Sequence, residues 1–248
     1  MKDSPVVRQA LPSLGGVGGG NNMLDKNTRT QILSLINKEV VPAVGCTEPM
    51  AVALCTARAT ETLGCRPEKI TALLSANILK NAMGVGIPGT GMIGLPIAIA
   101  LGALIGKSEY QLEVLKDLTP DTLEKGKEYI KGEHIDIQLK QNICEKLYVE
   151  IICETNGHSA TAIISGGHTN FVYLAKDDNV MIDKRHKSAE CGEEEDIKLN
   201  MRMVYDFALT TPLDEIRFIL KTKELNLKAA NESLKGNYGH CLGKTMDR

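Results

Sequence analysis

The first stretch that could carry chemistry is a cysteine followed by a threonine and a glutamate, Gly45-Cys46-Thr47-Glu48-Pro49. An alanine-rich pattern of helical period begins directly after it, and Pro49 suits the first turn of that helix. A thiol at a helix N-terminus lies near unpaired N–H groups and the positive end of the dipole, which favour the thiolate. Cys46 is therefore a candidate metal ligand or nucleophile, and equally a candidate for a small buried hydrophobic residue.

A glycine-rich segment without a formal charge, NAMGVGIPGTGMIGLP, begins at Asn81. Its backbone N–H groups can approach a carboxylate or phosphate closely, so Asn81, Gly89, Thr90 and Gly91 are candidate substrate-binding residues. Close packing of helices through small residues explains the glycines equally well. The segment also contains a Gly-x-Gly-x-x-Gly string, but the preceding sequence has a helical pattern, which argues against a Rossmann site.

Lys80 precedes the glycine-rich segment and raises a second enzymatic interpretation. A pyridoxal-phosphate lyase could use Lys80 to form its imine and the glycines to hold the phosphate.

A polar triplet, His168-Thr169-Asn170, interrupts apolar, strand-like sequence. Such a triplet at a strand edge can face a cleft, with His168 as an acid or base and Thr169 and Asn170 as substrate-binding groups. A structural histidine with satisfied hydrogen bonds is equally compatible with this pattern.

Several segments have the periodicity of the elements that must position these residues. Apolar residues at helical spacing predict helices over residues 26–41 and 49–63, the second ended by Gly64. Residues 67–83 have the pattern of a third, buried helix. From residue 133 to 183, near-alternating and β-branched segments separated by turn residues predict the strands of an antiparallel sheet.

The predicted fold class is therefore α+β, mainly helical with an inserted small antiparallel β unit. The predicted parts of the chain are a flexible leader or linker at residues 1–22, a helical N-terminal part with the glycine-rich loop at 23–132, a β unit at 133–184 and a helical C-terminal part at 185–248.

Composition excludes some classes of partner. The 248 residues carry a formal net charge of −2, which gives no electrostatic reason to expect nucleic acid or an anionic membrane. The uncharged segment 81–106 is interrupted by glycines and prolines, so it predicts a buried loop and core helix and no membrane span. It could also be buried at a subunit contact, which allows a homo-oligomer. The 7 scattered cysteines and the absence of a signal-peptide pattern favour the cytoplasm.

Three stretches together resemble the L-cysteine desulfidase family, relatives of the iron–sulfur L-serine dehydratase α-chain. They are VVPAVGCTEPMAVAL at residues 40–54, NILKNAMGVGIPGTGMIGLPIAIALGAL at 77–104 and GHSATAIISGGHTN at 157–170. The similarity runs from about Met23 to the C-terminus, and the strings GCTEP and GIPGTG are its most specific parts.

The resemblance implies a cytoplasmic enzyme that eliminates hydrogen sulfide from L-cysteine, giving pyruvate and ammonia. It also implies an oxygen-sensitive 4Fe-4S cluster, with Cys46 matching the family's N-terminal cysteine. Together with the residue chemistry, this predicts Cys46 as a metal ligand, Glu48 and His168 as catalytic groups, and Thr47 and Asn81 as substrate contacts. The alternatives are an L-serine dehydratase-like activity, a non-catalytic amino-acid-binding module, and the pyridoxal-phosphate lyase.

One feature of that family has no counterpart in this sequence. Further cluster cysteines of the family lie in a C-terminal helical segment with a Cys-Gly-Met-Ile-Cys-type string, which is absent here. Clusters are usually held by three or four cysteines. The C-terminal part is therefore expected to be incomplete relative to the family, the remaining cluster ligands to be absent, and the chain alone to have little or no desulfidase activity.

Overall fold

The computed structural model of the protein describes residues 24–43, 45–185, 197–236 and 241–246. The predicted leader at residues 1–22 lies outside these described residues, as does Cys191. The chain divides into two compact units, one within residues 39–195 and one built from residues within 1–38 and 196–248. Every predicted site residue belongs to the unit within 39–195.

The secondary structure of the described residues combines helices and strands. The α-helices are α1 (Lys26–Glu39), α2 (Thr47–Leu63), α3 (Ala76–Ala82), α4 (Leu95–Ile105), α5 (Pro120–Lys131), α6 (Met201–Thr210), α7 (Leu220–Lys235) and α8 (Leu242–Met246). The strands are β1 (Lys69–Leu74), β2 (Gly86–Ile87), β3 (Met92–Ile93), β4 (Ile135–Leu139), β5 (Tyr148–Thr155), β6 (His158–Ser165), β7 (Phe171–Lys176) and β8 (Asn179–Asp183). Short 3-10 helices cover Ser108–Glu113 and Arg217–Ile219.

The main sheet has six strands in the order β4-β1-β5-β6-β7-β8. Neighbours from β1 through β5 to β8 pair antiparallel, whereas β1 and β4 pair parallel. The short strands β2 and β3 form a separate antiparallel hairpin. The fold class is α+β, as predicted, but the sheet is mixed and includes a strand from the part predicted to be helical.

The prediction of one helix over residues 67–83 is wrong in its first half. Residues Lys69–Leu74 form β1, with Ile70, Ala72 and Leu74 buried on one side of the strand. The strand then ends at Ser75, whose side chain accepts a hydrogen bond from Ile78 N and begins α3. A short apolar run does not distinguish a buried strand from a buried helix by periodicity alone.

The core of this unit lies between the sheet and two apolar helices. Helix α2 packs on β5 and β6 and against α4, and eleven of its residues are buried. Helix α4 has no charged residue and buries most of its length from Leu95 to Ala103, so the predicted core helix is confirmed. The loop before it is largely exposed, so the prediction of a buried loop is wrong. A Cβ built on Gly102 would lie 2.6 Å from Ala53 O, because the two helix backbones approach closely there. Within the described ranges, no helix has the length and apolarity needed to cross a membrane.

Candidate functional site

Cys46 is the N-cap residue of α2 and has an extended backbone, with φ −72° and ψ 135°. Its side chain does not cap the helix; the Sγ–H donates to Glu48 Oε2 over 2.9 Å. Glu48 lies in the first turn of α2, where a negative charge is favoured by the helix dipole. The local sequence therefore brings a thiol and a carboxylate together at the start of a largely buried helix.

The Glu48 carboxylate is the centre of the candidate site because three side chains donate to it. Oε2 accepts from Cys46 and also from Thr47 Oγ1, at 3.3 Å. Oε1 accepts from Asn81 Nδ2 of α3 at 3.2 Å. Of the residues predicted to surround the substrate, the structure thus joins Cys46, Thr47, Glu48 and Asn81 in one hydrogen-bonded group.

These contacts keep Glu48 ionised. The hydrogen bond from Cys46 lowers the pKa of the Glu48 carboxyl, and the Asn81 amide and the charge of His168 act in the same direction. Partial burial opposes them but does not outweigh them. At neutral pH the site therefore presents an ionised carboxylate that accepts hydrogen bonds.

The prediction that the pKa of the Cys46 thiol is lowered towards the thiolate is wrong, because the pKa is raised. Loss of solvent raises the pKa of the Cys46 thiol, and the hydrogen bond and negative charge of Glu48 raise it further. The helical N–H groups of Thr47 and Glu48 lower it, as the dipole argument requires, but they are the smaller influence. Cys46 is thus a protonated hydrogen-bond donor, and any metal bound there must displace its proton.

His168 lies in the loop between β6 and β7 and is half-buried. Asn170 holds this loop in shape, since its Nδ2 donates to Ser165 O at 2.9 Å and its backbone N–H donates to Gly167 O at 3.2 Å. The charge of His168 contributes to the lowering of the Glu48 pKa. Thr169 and Asn170 are exposed.

The glycine-rich segment forms the β2–β3 hairpin. The buried Thr90 is used inside this turn, where its Oγ1 donates to Ile87 O at 2.6 Å and accepts from Met92 N at 2.9 Å. Gly89 and Gly91 have φ of 77° and 65° and are exposed. Of the predicted substrate contacts on this loop, the two glycines are accessible, whereas the Thr90 hydroxyl is committed to the turn.

Gly45 and Pro88 connect this hairpin to the Cys46 segment. Gly45 has φ +81°, and a Cβ built on it would lie 2.6 Å from Pro88 Cγ. Neither residue was among the predicted site residues, although a glycine directly before Cys46 is a signal for a left-handed turn or a close approach. The contact brings the glycine-rich loop beside the Cys46–Glu48 pair.

Lys80 does not have the environment of an imine-forming lysine. Its side chain is exposed on α3, whereas its neighbour Asn81 is half-buried and faces Glu48. A lysine that forms an imine at neutral pH is usually activated by desolvation or by a nearby cation.

The cysteines that the structure describes do not assemble into a cluster site. Cys55 and Cys153 are buried in the core, and Cys65 and Cys144 are exposed. No group of three or more His, Cys, Asp or Glu side chains that could hold a metal ion occurs among the residues that the structure describes. Because a 4Fe-4S cluster needs three or four cysteines, the described residues provide Cys46 as a single candidate ligand and do not fit a complete cluster.

Proteins named UPF0597 are similar to this chain. One from Bacteroides fragilis is 66% identical over 223 residues, and one from Phocaeicola vulgatus is 68% identical over 225 residues. A more distant one from Oleidesulfovibrio alaskensis is 41% identical over 219 residues. The first two matches cover 90% of this chain and 52% of the relative, and the third covers 88% and 51%.

The chain therefore spans about half the length of these relatives, whose names state no activity. No protein-family model matches the chain, and no solved structure matches it.

Proposed function

We propose that this chain carries the substrate-handling part of a β-elimination lyase for a small amino acid, with L-cysteine as substrate and pyruvate, ammonia and hydrogen sulfide as products. The observation that carries the proposal is the ionised Glu48 carboxylate, which lies 2.9 Å from Cys46 Sγ and is held from the other side by Asn81. The resemblance of the three sequence stretches to the desulfidases supports the choice of reaction.

The reaction needs a base for the α-proton and a donor for the leaving sulfur. Glu48 is assigned as the base, because its contacts keep it ionised at neutral pH. The electron pair of the Cα–H bond then forms the Cα=Cβ double bond, and the sulfur leaves with the pair of the Cβ–S bond. His168 is assigned as the proton donor to that sulfur. The 2-aminoacrylate product tautomerises to an imine, which water hydrolyses to pyruvate and ammonia.

The substrate carboxylate is assigned to the accessible N–H groups of the glycine hairpin, at Gly89 and Gly91, with Thr47 and Asn81 holding Glu48 in place. The proposal retains an iron–sulfur cluster with Cys46 as one of its ligands. On binding, the Cys46 thiol would give up its proton and its hydrogen bond to Glu48, and Thr47 and Asn81 would then hold the carboxylate. The other ligands would come from outside the described residues. L-Serine fits the same assignments, since its hydroxyl differs from the thiol of L-cysteine by one atom.

Binding of the amino acid is a more sensitive test than turnover. Turnover would need the cluster, and the described residues provide only one of its ligands. Thermal unfolding of the full 248-residue chain is followed anaerobically with and without L-cysteine and L-serine. A ligand that binds only the native state raises the midpoint. The expected result is a rise with L-cysteine that Glu48→Gln and Asn81→Ala abolish. Cys144→Ser, which changes an exposed thiol outside the site, should leave the rise intact.

Turnover is then measured as sulfide and pyruvate released after incubation with iron and sulfide. Equimolar products that Cys46→Ser and Glu48→Gln remove would support the lyase. If neither amino acid binds nor reacts, the proposal is wrong.

A second candidate function is an amino-acid-binding module without turnover. The specific observation in its favour is that, among the described residues, Cys46 is not part of any group of three or more His, Cys, Asp or Glu side chains that could hold a metal ion. Stabilisation by L-cysteine without any product, in the presence of iron and sulfide, would favour this second function.

A further inference from the structure

The unit formed by the two chain ends presents a row of exposed apolar side chains on α6. These are Met201, Val204, Tyr205 and Leu209, which lie on one face because they are spaced by three and four residues. Their exposed fractions are 83%, 45%, 56% and 67%, values typical of surface lysines and unusual for large apolar residues. We call these four residues the α6 stripe.

Helix α7 continues the same pattern. Leu220, Leu227 and Leu234 recur every seven residues and are 60%, 51% and 42% exposed. Neither α6 nor α7 contains a buried residue. A helix with an apolar face normally buries that face against another element, and large exposed apolar patches mark interaction sites.

Two charged neighbours of the α6 stripe form an ion pair and so do not disfavour the binding of an apolar partner. Arg202 Nε and Asp206 Oδ2 lie 2.8 Å apart on α6, so their charges compensate each other. A protein surface that covers the stripe therefore meets no uncompensated charge from this pair, which would otherwise be costly to bury.

The similar proteins indicate what covers the stripe. The match to the Bacteroides fragilis protein omits 248 − 223 = 25 residues of this chain, fewer than the 35 residues from Met201 to Lys235. The matched half thus reaches into the α6–α7 region, and 100 − 52 = 48% of that relative's length has no counterpart here. Over the matched residues the two proteins are 66% identical, so the matched part of the α6–α7 region is similar to a part of a chain about twice as long.

We propose that the α6 stripe is the docking surface for the protein portion that corresponds to this remaining half of the relatives. In the relatives the occupant belongs to the same polypeptide. The occupant presents an apolar face to Tyr205 and Leu209. This inference does not rest on the lyase activity, so either can fail without the other.

Hydrogen exchange tests the occupant directly. The full 248-residue chain and the full-length Bacteroides fragilis relative are each labelled, and peptides that cover α6 and its aligned segment are compared. Docking stabilises a helix against local opening, so exchange at α6 should be at least about tenfold slower in the relative. Peptides of the central strand β5 serve as the reference and should exchange alike. Equal exchange at α6 in both proteins would overturn the proposal.

A second measurement separates this occupant from a second copy of the chain. The molar mass in solution is determined for the wild type, for Leu209→Lys and for Met181→Lys, a matched change at an exposed apolar residue of β8. The proposal expects the three proteins to have the same mass. A dimer that Leu209→Lys alone dissociates would assign the stripe to self-association and overturn the proposal. Circular dichroism checks that both variants keep their helical content.

Discussion

Cys46 Sγ donates to Glu48 Oε2 over 2.9 Å, and this contact shifts the pKa values of the two side chains in opposite directions. The pKa of the Glu48 carboxyl is lowered chiefly by the hydrogen bond from the thiol. The pKa of the thiol is raised by burial and then by the hydrogen bond to the carboxylate. The free protein therefore holds a proton on sulfur and a negative charge on oxygen, so that Glu48 is the ionised, proton-free member of the pair at neutral pH.

Replacing Glu48 should make the Cys46 thiol more acidic. In Glu48→Gln the negative charge that helps to hold the proton on sulfur is gone, whereas the burial of the thiol remains. We expect Cys46 to be alkylated by iodoacetamide several-fold faster at pH 8 than in the wild type, with the midpoint of its pH–rate profile at lower pH. Mass spectrometry of the Cys46 peptide measures the rate, and the exposed Cys144 in the same sample is the internal control. An unchanged profile would show that burial alone sets the thiol pKa.

The stability of the fold should depend on Glu48 in a defined pH window. Because the pKa of Glu48 is lowered from 4.5 in the folded state, its contribution is present above pH 4.5 and is lost as the pH falls through the folded value. At pH 7, Glu48→Gln should lower the free energy of unfolding by about 1 kcal/mol, since hydrogen bonds to a charged group are lost. Urea unfolding across the acid range should show this difference shrinking below pH 4.5. Glu109→Gln, at an exposed carboxylate of another segment, is the control variant.

Substitution of Gly45 should separate the Cys46 segment from the glycine hairpin. Gly45→Ala meets a left-handed φ of +81° and places Cβ 2.6 Å from Pro88 Cγ. Gly157→Ala is the matched control, because Gly157 has φ +79° but open space around its Cβ position. Left-handed backbone costs about 1–2 kcal/mol in either variant, and the clash should cost Gly45→Ala about 1–3 kcal/mol more in the free energy of urea unfolding. Equal losses in the two variants would mean that the hairpin moves away from Gly45 without penalty.

The local part of the site could be predicted from the sequence, because its signals lie within a few residues. The Cys-Thr-Glu-Pro string fixes a helix start, and α2 begins at Thr47, two residues before the prediction, and ends at Leu63 with Gly64 in a left-handed C-cap. The strands after residue 133 were likewise predicted from their alternating sequence pattern, which matches the alternating burial along β5. These features depend on neighbours in the chain and on side-chain period.

Contacts between segments that are far apart in the sequence account for the features that could not be predicted. The segment Lys69–Leu74 becomes a strand because β4 and β5 flank it on both sides, and neither contact can be recognised from its own six residues. The raised pKa of Cys46 arises from burial, which depends on how α2 packs. The N–H groups at the start of α2 do lower the pKa of the Cys46 thiol, but burial and the Glu48 carboxylate raise it by more. The cluster and substrate assignments stay predictions, since no ligand contact tests them.

The contact between α2 and α4 should tolerate no added methyl group at Gly102. Gly102→Ala gains about 0.5–1 kcal/mol of helix propensity, but its Cβ would lie 2.6 Å from Ala53 O and 3.1 Å from Thr56 Cβ. Overpacking of this kind costs about 1–3 kcal/mol, so the free energy of unfolding should fall. Gly126→Ala in α5 is the matched control, because its nearest neighbour is Leu101 Cδ2 at 3.0 Å, a side-chain end that can move. Urea unfolding should therefore show Gly126→Ala within about 1 kcal/mol of the wild type. A Gly102→Ala variant as stable as that control would contradict the close approach of α2 and α4.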